Sequence, residues 1–120
     1  MDPRHLKRIE TLQNLFAFSF RKVKTNLPYP DDERTKGILK HIEKIDRSIE
    51  KFAKRYPLDL IAKTDLAILR LSIYELTFEK KIPQKVVIDE AIELAKEFSG
   101  EKSYGFINAI LGKVLESSTH

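Results

Sequence analysis

The residues able to do chemistry in this chain are few, and the densest cluster of them is basic: Arg4-His5-Leu6-Lys7-Arg8. Cations gathered this closely suit a polyanion such as nucleic acid; their other reading is a helix end kept soluble by its charges. The histidines His5, His41 and His120 lie far apart. HIEKI at 41–45 lacks the spacing of a zinc HExxH pair, so each histidine reads as structural or exposed. Without cysteine there is no disulfide, thiol nucleophile or thiolate metal site. P-loop, GxGxxG and GxSxG patterns do not occur. Asp89, Glu93 and Glu97 recur every four residues as an acidic stripe. No apolar pocket is indicated to split their pKa values, so the stripe reads as a solvated face. No catalytic residue, metal site or cofactor is expected, and the chain does not read as an enzyme.

Other residues stand out for what they must do structurally. Arg70 interrupts a nearly continuous apolar run. A buried, unpaired guanidinium costs several kcal/mol, so Arg70 is expected to pair with Glu90 across two helices. Tyr74 is expected to bury its ring and give its hydroxyl a polar partner such as Asn108. A single-stranded RNA needs both phosphate neutralisation and flat faces for its bases. Arg4, Lys7 and Arg8 supply the first; Tyr104 or Phe106 supplies the second, unless it packs in the core.

The elements that position these groups are helical. Ile9, Leu12, Phe16, Phe20 and Val23 form one stripe over a helix from about Pro3 to Val23. TNLPYPDD at 25–32 breaks it, with Asp31 or Asp32 able to cap the next helix. Ile38, Ile42, Ile45, Ile49 and Phe52 predict a second helix from about Glu33 to Arg55, ended by Pro57. After a short turn around Leu58–Ala62, Thr64 caps a central helix to about Glu79. Its residues Leu66 to Leu76 leave little polar face. A fourth helix runs from Pro83 to Ser99-Gly100, where glycine takes the left-handed position after the helix. A fifth spans about Glu101 to Ser117, with Gly105 and Gly112 suggesting close packing or a kink.

At 120 residues, 42% hydrophobic and 33% charged, the chain fits one soluble domain over 1–120. The net charge of +4 is concentrated early: residues 1–30 hold six Lys/Arg against two acids, residues 58–120 eight against ten. No apolar run approaches the ~20 residues that cross a bilayer, and no secretory signal is visible. A cytoplasmic location without membrane contact is expected.

Three runs carry a family resemblance: LAILRLSIYEL (66–76), VIDEAIELAKEF (87–98) and FINAIL (106–111), the first two joined by Lys81-Ile82-Pro83. They resemble the C-terminal half of the NusB family of bacterial transcription antitermination factors, and the likeness is strongest from Ile45 to Leu111. It implies an all-α, NusB-like compact bundle of about five to seven helices that binds RNA without catalysis. The family's first helix opens with an arginine-rich stretch followed by a QALY-like pattern. Arg4 to Arg8 and Gln13-Asn14-Leu15-Phe16 are the counterparts here, which implies RNA contacts for Arg4, Lys7 and Arg8. Asp65 matches an acidic position opening the central helix, implying a partner or RNA contact, and Phe106 matches an aromatic near the RNA surface. Lys102 stands where the family often has an acid, and would strengthen attraction to phosphate.

The implied partners are boxA-type single-stranded RNA, the small-subunit ribosomal protein NusE, and the RNA polymerase antitermination complex during ribosomal RNA transcription. Two further departures stand out beside Lys102. The segment between the first two helices is about one helix shorter than usual. Ala109 replaces the usual glycine, and NAIL is similar to the RNA-binding domain fused to ribosomal RNA cytosine methyltransferases, whose catalytic domain 120 residues cannot hold. The alternatives are a stand-alone relative of that domain, or a helical module that docks a protein or forms a homodimer without RNA.

Overall fold

Nine consecutive residues, Asp65 to Ile73, are buried, and the helix that carries them is the axis of the fold. The computed structural model describes residues 2–118; the expectation for His120 lies outside them. This central helix, α4 (Lys63–Tyr74), touches α1 (Pro3–Arg21), α2 (Glu33–Lys40), α3 (Ile42–Phe52), α5 (Gln84–Phe98) and α6 (Glu101–Ser118). A 3-10 turn at Leu58–Leu60 precedes α4, and a π-helical turn at Glu75–Glu79 extends it. A helix apolar nearly all round must be covered on every side. Ala67, Ile68, Leu69, Leu71 and Ile73 accordingly expose nothing. Among the described residues there is no strand, and no helix is long and apolar enough to cross a membrane.

Local signals place the ends. The Asp2 carboxylate accepts from the Arg4 amide at 2.9 Å, and Pro3 occupies the first turn of α1, where no amide is needed. Asp32 caps α2 by accepting from the Thr35 amide at 3.1 Å. Gly100, at φ 109°, leaves α5 in the left-handed region while its amide donates to the Ala95 carbonyl.

Four local expectations are corrected. The single helix over 33–55 is two, broken at His41, whose ring stacks on Phe78 with centroids 4.2 Å apart. Thr64 is no cap, because α4 starts one residue earlier and its entry has no side-chain hydrogen bond. Gly105 and Gly112 have open space around them and α6 runs through both without a break. The fourth concerns α1, which buries Arg8, Thr11, Leu12, Asn14, Leu15, Phe18 and Ser19, and so leaves Phe16, Phe20 and Val23 of its apolar stripe exposed. Each buried polar group on that face has a partner, which is the condition for burying it. Asn14 donates to the Tyr29 carbonyl and Thr35 hydroxyl and accepts from the Tyr29 amide. Thr11 donates to Asp32 at 2.6 Å.

Gly37 of α2 lies against the Tyr74 side chain of α4. A Cβ there would overlap the Tyr74 hydroxyl oxygen and sit 2.7 Å from its ring. Gly37→Ala is therefore expected to destabilise by about 1–3 kcal/mol, through forced displacement of the ring. Adding Tyr74→Phe should recover only part, because the ring carbon is also too close. Urea titration of the two variants measures both effects, and an undiminished midpoint in Gly37→Ala would remove the claim.

Candidate nucleic-acid interface

The basic cluster at the start of α1 divides into two pairs. Arg4 and Lys7 are exposed. Among the described residues the Arg4 guanidinium has no ion pair, and Lys7 has only Glu10 at 3.6 Å on the same helix, an exposed contact of little energy. Both line the mouth of an open cleft of about 500 Å³ between α1, the start of α2 and the π-helical turn. His5 and Arg8, by contrast, are occupied.

The sequence places Arg8 in solvent beside Arg4 and Lys7; the fold does not. Arg8 is 4% exposed, and its Nε and Nη2 donate to the two oxygens of Glu75 at 3.0 and 2.9 Å. Arg34 makes a second forked pair with Glu79, at 3.1 and 2.9 Å, and reaches Glu75 at 4.0 Å. Burial opposes the Arg34 charge, but the Glu79 hydrogen bonds and the charges of Glu75 and Glu79 outweigh it and raise its pKa. The π-helical turn carries both carboxylates and so ties α1, α2 and the end of α4 together. Buried forked pairs fix orientation as well as distance.

His5 bridges to α5 through Glu90 and Glu97, the latter at 3.1 Å. The hydrogen bond to Glu90 raises the imidazole pKa above its ordinary 6.5, against an opposing effect of burial and with help from Glu97. A raised folded value means the clamp stabilises fully below about pH 6.5 and is lost as pH rises through that value. The thermal midpoint of wild type should therefore exceed that of His5→Gln at about pH 6, and the gap should shrink toward pH 8. A gap independent of pH would show that His5 does not act through its charge.

The other flank of α1 is aromatic, and its accessibility is invisible in the sequence. Lys7 and Phe16 are nine residues apart, which at ~100° per residue puts them on roughly opposite sides of the helix. Phe16 and Phe20, edge to face at 4.9 Å, are 40% and 60% exposed. With Ile9, Gln13, Ala17, Pro28, Thr64 and Phe98, Phe16 lines an open groove of about 440 Å³. Lys63 Nζ lies 5.7 Å from the Phe20 ring centre, and Lys96 Nζ lies 5.4 Å from that of Tyr104. Cations set against accessible rings are the combination on which unstacked bases rest. The aromatic spacing is legible along the chain; which side of α1 faces the core is not.

Asp65, Lys102 and Phe106 do not join the Arg4–Lys7 mouth. Lys102 is exposed on the first turn of α6. Phe106 packs partly against the core, edge to face with Tyr56 at 5.6 Å. It lines a shallow groove of about 210 Å³ with Tyr56, Leu60, Ile61, Ala62 and Asp65. Asp65 is 7% exposed; its Oδ2 accepts from the Ser103 hydroxyl at 3.1 Å, while its Oδ1 is buried without a hydrogen-bond partner. Among the described residues no three His, Cys, Asp or Glu side chains gather as metal ligands.

Two structural pairings are corrected. Arg70 does not reach Glu90. It forks onto Asp46 of α3, with both bonds at 2.9 Å, and donates to the Ser19 hydroxyl at 3.2 Å. Glu90 belongs to the His5 clamp instead. Arg70 does find the carboxylate its burial demands, on the side where α1 and α3 meet α4. Tyr74 does not meet Asn108, which is exposed on α6; its hydroxyl faces Gly37, and its ring stacks with Phe78 at 6.1 Å.

Comparison with known proteins bears on this geometry. The model of the NusB family matches residues 31–116. Transcription antitermination protein NusB of Acetivibrio thermocellus is 57% identical over 81 residues, which are 68% of this chain and 56% of that protein. The chain thus spans about half the length of the curated relatives it matches. NusB of T. maritima superimposes with a TM-score of 0.83 at 32% identity, over 96% of this chain and 92% of that one. A chain from the complex of antitermination factors NusB and NusE with double-stranded RNA shares the fold, with a TM-score of 0.79 at 23% identity over 97% and 99% of the two chains.

Proposed function

The chain belongs to the NusB family, and from that premise we propose that it is an RNA-binding transcription antitermination factor rather than an enzyme. The observation that carries the reading is the pair of solvent-facing cations, Arg4 and Lys7, at the mouth of the α1–α2 cleft. They neutralise phosphates of a boxA-type single strand. The strand crosses the crest of α1, and its bases rest on the groove of Phe16 and Phe98 beside Phe20 and Lys63. Lys102 adds attraction at the far end.

The Asp65–Phe106 groove suits a protein better than RNA. The Asp65 carboxylate in its lining repels phosphate and attracts a cationic group. We assign it to the ribosomal protein NusE, within the polymerase complex in the cytoplasm. NusB and NusE have been solved together with RNA, which supplies the classes of partner to test. The test is a filter-binding titration of single- and double-stranded boxA RNA across salt, with and without the ribosomal protein. Salt-dependent binding strengthened by that protein is expected, and binding to neither RNA form in either condition rejects the reading. The exposed Phe16–Phe20 flank gives self-association specific support as a second reading; sedimentation of the protein without RNA separates the two.

A further inference from the structure

Helix α1 offers the core two faces. One is its apolar stripe of Ile9, Leu12, Phe16, Phe20 and Val23; the other is the mixed face of Arg8, Thr11, Leu12, Leu15, Phe18 and Ser19. Their centres are roughly 100° apart around the helix. On hydrophobicity alone the stripe should win, since leaving two phenylalanines in water forgoes their burial. The mixed face is nevertheless the buried one, with Phe20 60% exposed. A carboxylate that is 2% exposed is reached by two of the three guanidinium nitrogens of Arg8 and ties that face inward. A buried forked pair is lost if the helix turns, and a charge left behind there is expensive.

We propose that Glu75 is a positioning residue for RNA binding. By holding Arg8 it selects the roll of α1 that leaves Arg4 and Lys7 at the cleft mouth and Phe16 and Phe20 open to bases. Its functional half rests on the RNA-binding reading above. Arg8 on this account is an anchor, not a phosphate contact. Glu75 can do this because the π-helical turn, closed by the Lys80 amide on the Glu75 carbonyl at 2.9 Å, aims Glu75 at Arg8 and Glu79 at Arg34.

The chain has no tryptophan, so Phe20→Trp makes a single reporter of the roll. In that background Glu75→Gln is expected to shift emission to the blue, as the stripe turns inward. It should also weaken RNA binding about three- to tenfold, even though it raises the net charge by one. An unchanged emission overturns the proposal. A blue shift with undiminished RNA affinity keeps the roll but overturns its role in binding, and wild-type protein that binds no RNA locates the failure in the RNA reading itself. Should Glu75→Gln unfold, seen as a red shift, Arg8→Met with Glu75→Met decides, because an apolar pair of similar length can replace a buried ion pair without loss of folding. A blue shift with weakened RNA binding is expected there, because no ion pair then holds the mixed face inward. Native emission would show that the pair does not set the roll and would overturn the proposal.

Discussion

Arg8→Ala should destabilise the protein by about 3–5 kcal/mol, one of the largest losses available to a single substitution in this chain. The reason is asymmetric. Removing the guanidinium leaves Glu75, 2% exposed, with its direct partner gone and only Arg34 at 4.0 Å to compensate. A carboxylate in that setting must stay charged at a high desolvation cost, take up a proton, or admit water by local unfolding. For a chain of this length the thermal midpoint should fall by about 10 °C or more. Denaturant titration should show a lowered midpoint at unchanged slope, the mark of a stability change in an otherwise similar fold. A loss under about 1 kcal/mol would mean that water already shares the site and that the ionic cluster contributes little.

Arg4→Ala combined with Lys7→Ala should do the reverse. Both side chains stand in solvent, and surface substitutions of this kind stay within about 0.5 kcal/mol of wild-type stability. RNA affinity, however, should fall at least about tenfold at moderate salt. The plot of log affinity against log salt should become shallower by about 1.4, or about 0.7 for each single-strand phosphate that is no longer neutralised. Filter binding at four or five salt concentrations gives both quantities. An unaltered slope would move the RNA to another face, and the lysine-flanked aromatics at Phe20 and Tyr104 would be the place to look. The contrast between the variants is the useful part. Two adjacent cations, Lys7 and Arg8, should separate completely into one that binds and one that holds.

Much of this architecture is legible along the chain. The nearly all-apolar run from Leu66 to Leu76 could only be a covered central helix, and the caps at Asp32 and Gly100 follow from local chemistry. The all-α fold and the family follow from the runs at 66–76, 87–98 and 106–111. What resisted reading was every choice between two locally acceptable alternatives. Arg70 needed a carboxylate, and the sequence pointed to Glu90; the packing of α3 against α4 supplied Asp46 instead. The break at His41 interrupts an apolar repeat that is regular on both sides of it, and coincides with the stack on Phe78 from a distant turn.

The helices, their apolar content, the surplus of positive charge in the first turn of α1 and membership of the NusB family are all written in the order of residues, because periodicity, caps and composition act within a few positions. Which face of α1 is buried, and therefore which cations and which aromatic rings meet solvent, was settled by the folded arrangement alone. That choice rests on Arg8 finding Glu75, 67 positions away along the chain. A buried charge is governed by the partner the fold brings to it, and no local pattern records where that partner will be.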